Sequence, residues 1–295
     1  MTGTNTENTV LAVGAAGHFA GLVVPALASR GAHARGLVLK PEEGKAVLRN
    51  GAAEITVADL SDRASVDAAL QGVEAAFYVG PQPYEDEAEL GVNFVQACKD
   101  AGVRRIVFSS IQHPTILASQ NHVAKGRVEA AIVESGMEFT LLQPGMFYQN
   151  MTAAWPSILE NGVLSEPTPS TTRLVRVDYR DVAEVAAIAL TEDRLCNGTF
   201  ELCADGYFNR EDVVSVISGV LGRPVKAAAL NFDEWVDQTK TPPSGRQVAR
   251  AMFDYDGKYG SPGNSLTLRA ILGREPRTLR QFFEDLVAGI PTVAS

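Results

Sequence analysis

The sequence predicts an α/β fold: a doubly wound parallel sheet followed by a small, mainly helical C-terminal lobe. Three observations predict it. Short apolar runs alternate with helical patterns six times before Pro144, joined by connections of a few residues. The first run, Thr9 to Val13, ends in Gly14-Ala15-Ala16-Gly17, and a helical pattern starts directly after it. Beyond Pro144 the alternation gives way mostly to helices. Near-continuous apolar runs belong to strands buried on both faces, and right-handed crossovers place the intervening helices on both sides of a parallel sheet.

The elements follow in order. Thr9–Val13 is a strand, and Ala20 to Arg30 a helix that Pro25 kinks by removing a backbone donor. Ala34–Leu39 is the second strand, ending at Lys40-Pro41, and Glu42–Arg49 a helix with acidic residues in its first turn. Glu54–Ala58 is the third strand, ending at Asp59-Leu60; Ser61 or Asp62 caps the next helix, through Leu70. Ala75–Val79 ends at Gly80-Pro81, and Glu85–Ala101 is a long helix whose Glu85-Asp86-Glu87 start reads as a solvated run compensating the helix dipole. Arg105–Phe108 runs into Ser109-Ser110. A helix over His122–Ser135 leads to Phe139–Leu142 and Gln143-Pro144-Gly145. Further on, Gln149–Leu159, Asp181–Leu190, Asn209–Leu221, Phe232–Thr239, Gly245–Phe253 and Leu279–Ala288 read as helices. Trp155-Pro156 reads as a kink, Leu174–Val177 and Thr199–Leu202 as strands, and Asp254–Asn264 as a Gly/Tyr-rich loop. The boundaries expected are 9–150 for the sheet domain and 151–295 for the lobe, with about 178–203 returning to the sheet.

Composition narrows the function classes. The chain has 295 residues, 45% apolar and 21% charged, an ordinary globular balance. Its net charge of −9 and the lack of a Lys/Arg cluster disfavour direct nucleic-acid binding. Cys98, Cys196 and Cys203 are an odd, widely spaced set that suits neither a disulfide framework nor a metal site. Met1–Asn8 lacks the basic start and apolar core of a signal peptide, and no apolar run is long enough to span a bilayer. A cytoplasmic monomer or homodimer acting on a small molecule is the expectation.

In a doubly wound sheet, ligands bind at the carboxyl ends of the strands. Those ends here are Gly14, Lys40, Asp59, Gly80, Ser109 and Pro144, all on one rim. At the first of them Gly14 permits a tight turn, and Gly17 lets the backbone approach a pyrophosphate, which then meets the helix N-terminus. The third glycine of the usual fingerprint is Ala20. A strand–turn–helix built of small residues reads the same way with no ligand at all.

Several stretches resemble the NmrA-like members of the atypical short-chain dehydrogenase/reductases: Val13 to Gly17, Asp59 to Asp62, Lys125 to Glu129, Phe139 to Asn150, Val177 to Ala183 and Leu272 to Thr278. The resemblance spans roughly Thr9 to Leu286. It implies a Rossmann-type domain that binds NAD(P), with the C-terminal lobe forming the substrate cleft. Members include quinone, dye and isoflavone-type reductases, and also proteins that bind the dinucleotide as redox sensors.

Carried onto this chain, the resemblance puts Gly14, Ala16, Gly17, His18 and Phe19 at the pyrophosphate turn, Asp59 and Leu60 at the adenine, and Gly80 and Pro81 beside the nicotinamide ribose. Ser109, Lys125 and Pro144 complete the cofactor set. Lys40 at the end of the second strand, where a carboxylate would read the NAD ribose, favours NADP(H) over NAD(H). Leu39 stands where the family has an arginine, so Lys40, helped by Arg35 or Lys45, substitutes for it, with Glu42 and Glu43 nearby in opposition. The superfamily's Tyr-x-x-x-Lys pair is broken: Lys125 is present, but Asn121 replaces the tyrosine, and no phenol occurs between Tyr84 and Tyr148. The catalytic candidates are therefore Lys125, His122 and Ser110, although His122 reads equally well as a polar helix-start residue. His113, Phe147, Tyr148 and Trp155 are candidates for the substrate cleft. Acceptors that need little help from a dedicated acid, such as quinones, enones and dyes, fit the missing phenol.

Overall fold

A computed structural model of the chain describes residues 9–81 and 86–294. Its strands are β1 (Thr9–Val13), β2 (His33–Val38), β3 (Glu54–Val57), β4 (Val73–Val79), β5 (Arg105–Ser109), β6 (Glu138–Pro144), β7 (Met146–Phe147), β8 (Val163–Glu166), β9 (Leu174–Val177), β10 (Gly198–Leu202), β11 (Tyr207–Phe208) and β12 (Lys226–Ala229). The helices are α1 (Val23–Ser29), α2 (Gly44–Arg49), α3 (Arg63–Ala69), α4 (Glu87–Asp100), α5 (Gln120–Glu134), α6 (Trp155–Asn161), α7 (Tyr179–Thr191), α8 (Arg210–Leu221), α9 (Phe232–Thr239), α10 (Pro243–Tyr259), α11 (Leu266–Leu272) and α12 (Leu279–Val287).

The main sheet has seven strands in the order β10-β6-β5-β4-β1-β2-β3, every neighbouring pair parallel. Alternate side chains feed two cores, as the two-residue period of a strand requires. Val10, Ala75, Phe77, Val107 and Leu142 pack against α1, α7 and α11; Leu11, Ala76, Tyr78, Ile106, Phe108 and Leu141 pack against α3, α4 and α5. This is the Rossmann-type fold. Its strand order reverses beside β1, so a crevice opens at the carboxyl ends of β1 and β4. A third core gathers Tyr148, Met151, Ile158, Val213, Ile217, Phe282 and Phe283 in the C-terminal part. Two small sheets, β11-β9-β7 and β12-β8, frame that part. Among the described residues no helix is long and apolar enough to cross a membrane.

Four local expectations change. A 3-10 turn takes Ala20–Leu22, so α1 starts only at Val23 and Pro25 sits in its first turn, where the missing N–H costs nothing and forces no kink. Trp155 and Pro156 are likewise the first two residues of α6. α10 runs through to Tyr259, making Asp254–Tyr259 helix rather than loop. Glu87 is buried, not solvated: it lies on the stripe of Gly91, Phe94 and Cys98 that α4 turns to the sheet. Glu85 lies outside the described residues.

Candidate functional site

The turn after β1 is built by its glycines. Gly14 has φ +71°, a conformation glycine adopts without strain, and Gly17 N–H donates to Gly14 O at 2.8 Å. A Cβ on Gly17 would stand 3.1 Å from that same oxygen. Ala15 N–H ties the turn to β2 through Leu37 O at 3.1 Å. Close packing of the following helix falls on Gly21, not on the neighbouring Ala20: a Cβ at Gly21 would stand 2.9 Å from Ala15 O. The amides of Ala16, His18 and Phe19 donate to no acceptor among the described residues. A cradle of that kind fits a pyrophosphate.

At the end of β2 Lys40 is exposed, and the Leu39 and Lys40 amides both donate to the Glu43 carboxylate at 3.1 Å. Arg35 does not reach this end. Its guanidinium is held by Glu54 at 2.8 Å and by the carbonyls of Ala69 and Gln71 at 2.9 and 2.7 Å. At the end of β3 the Asp59 carboxylate accepts from Ser61 N–H at 2.8 Å and Ser61 Oγ at 2.7 Å, bonds that hold it below the usual carboxylate range. Asp62 does the capping of α3, by accepting from Ala64 N–H. Leu60 packs on the core between the sheet and α3, α4 and α5.

Lys125 is the centre of the rim. It is buried on α5, its Nζ ion-paired with the equally buried Glu87 of α4 and 5.5 Å from the centroid of the Phe108 ring. Nζ makes no aligned hydrogen bond among the described residues. Gly80 lies directly against the pair: a Cβ there would stand 2.6 Å from Glu87 Oε1 and 3.2 Å from Lys125 Nζ. Glycine at the end of β4 is thus what lets a buried ammonium approach the backbone this closely. An ammonium with unfilled hydrogen-bond capacity beside bare backbone fits ribose hydroxyls.

One strand further on, Ser109 Oγ accepts from the Tyr179 hydroxyl at 3.1 Å. Tyr179 starts α7, and Gln149 fixes it there: Gln149 Oε1 accepts from Tyr179 N–H at 2.9 Å while its Nε2 donates to Asp178 at 2.7 Å. Burial pushes the Tyr179 phenol up, and its ring meets Phe147 edge-on at 4.6 Å and Phe19 at 5.5 Å. This phenol comes from beyond Tyr148 in the sequence, on a helix that returns to the sheet. Ser110 is buried, with an Oγ that has no partner among the described residues, and Pro144 O accepts from Gln112 N–H at 3.0 Å.

The superfamily's tyrosine position, Asn121, is buried one turn before Lys125, with Nδ2 3.8 Å from Met252 Sδ of α10. His122 is also buried. Its Nδ1 lies 2.9 Å from His113 O, so Nδ1 carries the hydrogen and the neutral ring keeps its lone pair on Nε2; burial holds the imidazole below its ordinary value. His113 itself has φ +54° and points Nε2 towards Glu201 at 3.6 Å. One candidate for the cleft belongs to packing instead. Tyr148 is fully buried against Phe282, because the 3-10 segment over Tyr148–Ala154 turns its ring into the C-terminal core, while Trp155, at the start of α6, is half-buried and stacks on Phe283. Phe147 is likewise half-buried, between the glycine turn and Tyr179.

The model of the NmrA-like family matches residues 6–285. The chain belongs to the NmrA-like family. It is 27% identical over 284 residues to an NAD(P)H azoreductase of Xenophilus azovorans, covering 92% of this chain and 96% of that one. It is 27% identical over 259 residues to quinone oxidoreductase 2 of Escherichia coli, covering 85% and 88%. Among solved structures, the NADPH complex of the Escherichia coli NADPH-dependent quinone oxidoreductase superposes with a TM-score of 0.79 at 23% identity, over 95% of this chain and 99% of that one. The Citrobacter sp. triphenylmethane reductase complexed with NADP(H) gives 0.81 at 20% identity, over 94% and 99%. At these identities the superpositions establish the fold. Within this NmrA-like chain, Gly80, Lys125, Ser109 and Ser110 gather at the ends of neighbouring strands, with Glu87 and Tyr179 as additions the sequence pattern did not single out.

Proposed function

We propose that the chain is an NADPH-dependent reductase that delivers hydride to a planar conjugated small molecule such as a quinone, enone or dye. The observation that carries this reading is Lys125, a buried ammonium held by Glu87 against the bare backbone of Gly80. The names of the relatives, an azoreductase and a quinone oxidoreductase, point to the same class of acceptor.

The roles follow from position. Gly14 and Gly17 shape the turn, and Ala16, His18 and Phe19 hold the pyrophosphate on unfilled amides. Asp59 and Leu60 flank the adenine. Gly80, Pro81, Ser109 and Pro144 line the nicotinamide side, and Lys125 grips the ribose. Lys40 meets the 2′-phosphate from the surface. The bound reduced nicotinamide supplies the hydride. Phe147 and Phe19 give a planar acceptor an apolar wall to stack on. His122 contributes a neutral Nε2, and Ser110 a hydroxyl with capacity to spare.

Paired titrations with NADPH and NADH, followed by NADPH oxidation against a panel of quinones, enones and dyes, test the reading. Binding of NADPH in preference to NADH and turnover with part of the panel are expected. Tight binding with no turnover on any acceptor would refute the reductase and favour a redox sensor, the alternative that Asn121 in place of tyrosine keeps in view.

A further inference from the structure

The glycine turn is held by the last of the described residues. α12 closes at Gly289, which has φ +69°. Gly289 N–H donates to Leu286 O at 3.2 Å and Ile290 N–H to Asp285 O at 2.9 Å, the bond pair that ends a helix on a left-handed glycine. That stop turns the chain away from α12, and residues 291–294 then reach the turn after β1. Arg180 at the start of α7 anchors the root of the segment, donating to Asp285 at 2.7 Å. Thr292 is 2% exposed, and its carbonyl accepts from Gln149 Nε2 at 3.1 Å. Ala294 N–H donates to His18 O at 3.3 Å. Gly21 makes room for this approach, since a Cβ there would collide with the Ala294 Cβ. The NmrA-like match stops at residue 285, so the segment lies outside the matched pattern.

Both contacts bear on Phe19. The peptide joining His18 to Phe19 is one rigid plane, with its C=O and N–H pointing opposite ways. A donor that holds His18 O on one side therefore sets the direction of Phe19 N–H on the other. That amide is one of the unfilled donors of the turn. The second route runs through Gln149, whose Oε1 accepts from Tyr179 N–H at 2.9 Å; the Tyr179 ring stands 5.5 Å from that of Phe19. Pro291, Val293 and Ala294 also wall a cavity of about 560 Å³ with Leu22, Pro25 and Arg180. The segment is thus packed over part of its surface only, and its two backbone bonds decide where it lies.

We propose that residues 291–294 position the dinucleotide turn: Ala294, acting through the peptide between His18 and Phe19, aims the Phe19 N–H at the pyrophosphate of the cofactor. The role rests on the dinucleotide site proposed above and deepens it, and it is independent of the acceptor. Ala294 is a positioning residue, because its bond goes to the turn and the turn's amide meets the ligand. A hydrogen bond to a charged phosphate oxygen is strong but directional, so a peptide plane left to rock loses much of it. Filling the Phe19 N–H with a negative oxygen polarises the peptide and makes His18 O a better acceptor for Ala294. Occupancy of the turn and seating of the segment therefore favour each other, and the coupling has the same size in both directions.

The test uses the full chain. Ala294→Pro removes the N–H that meets His18 O and keeps the rest of the segment. It is expected to weaken NADPH by roughly tenfold in calorimetric titration. Adenosine 2′-phosphate shares the adenine and 2′-phosphate of NADPH but has no pyrophosphate, and should bind wild type and variant alike. Ala294→Gly keeps the N–H and should bind NADPH like wild type. A chain stopped after Ile290 should lose at least as much NADPH affinity as Ala294→Pro, with thermal unfolding in the absence of cofactor reporting that it folds. In wild type NADPH should slow amide hydrogen exchange over residues 291–294, and in Ala294→Pro it should not. Unchanged NADPH affinity in Ala294→Pro, equal losses for NADPH and adenosine 2′-phosphate, equal losses in the Pro and Gly variants, or exchange indifferent to NADPH would overturn the positioning role while leaving the dinucleotide site standing. A wild-type protein that binds no NADPH would overturn both.

Discussion

Replacing Glu87 by glutamine strikes the contact that places Lys125. Both side chains are 2% exposed, so neither charge has solvent to fall back on when its partner is removed. Breaking a buried pair by neutralising one member leaves an uncompensated charge and costs about 3–5 kcal/mol; glutamine still offers an oxygen, which sets the expectation at about 3 kcal/mol. In a chain of this size that lowers Tm by roughly 5–10 °C. Replacing both residues by methionine removes both charges, and should recover stability to within about 1 kcal/mol of wild type, because the desolvation cost disappears with the attraction. Function separates the two variants: Glu87→Gln keeps the ammonium and binds NADPH, which raises its Tm, whereas the double methionine variant is stable but binds poorly. Differential scanning fluorimetry with and without NADPH reads all of this. A Glu87→Gln protein as stable as wild type, or a double variant less stable than either single one, would refute a buried and mutually dependent pair.

Three further outcomes follow from the structure. Gly14→Ala forces a side chain into φ +71° and should cost about 1–2 kcal/mol in denaturant unfolding while weakening NADPH binding. Lys40→Ala should weaken NADPH by roughly fivefold at low salt and leave NADH unchanged, since the residue is exposed and meets only the 2′-phosphate; equal losses for both cofactors would contradict its role. Asp256 has a carboxyl raised from 3.8 to about 6, so the native state holds more protons than the unfolded chain between those values, and stability falls as pH rises through that window. Asp256→Asn should therefore match wild type below about pH 4 and exceed it by about 2–3 kcal/mol at pH 7 in urea unfolding.

The sheet was legible because its signals are local and repeated. Each strand of the first half is a short apolar run ended by Gly, Lys-Pro, Asp or Ser, and crossover handedness then puts helices on both faces, while the strand order comes from the structure. The two-residue strands β7 and β11, and the pair β8 and β12, carry too few residues for a period and become strands only through their partners. Glycine roles were half legible. Gly14 was found from its place at a strand end, but the tight approach of the following helix falls on Gly21, which only the start of the 3-10 turn decides. Glu87 carried a readable signal that a run of three acidic residues concealed: it stands four residues before Gly91 and seven before Phe94, on the buried face of α4. Tyr148 reads as a cleft residue because aromatics after a strand end suit one; nothing in the residue types tells a cleft wall from a core wall, and the turn direction of the 3-10 segment sends it inward.

The missing tyrosine changes one helix face. A short-chain reductase with Tyr-x-x-x-Lys draws its proton donor and its ribose clamp from one helix face. Here Asn121 leaves that face with a clamp only, and α10 closes over it with Met252 and Tyr255. The residue that follows them on α10, Asp256, is buried at a cost in stability, its carboxyl raised to about 6 by that burial. Tyr179 is a poor replacement: its hydroxyl is already committed to Ser109, and burial drives its phenol further from the range useful for proton transfer. Asn121 thus leaves the helix carrying Lys125 without an acid, and the side chains that cover its first turn are those of α10.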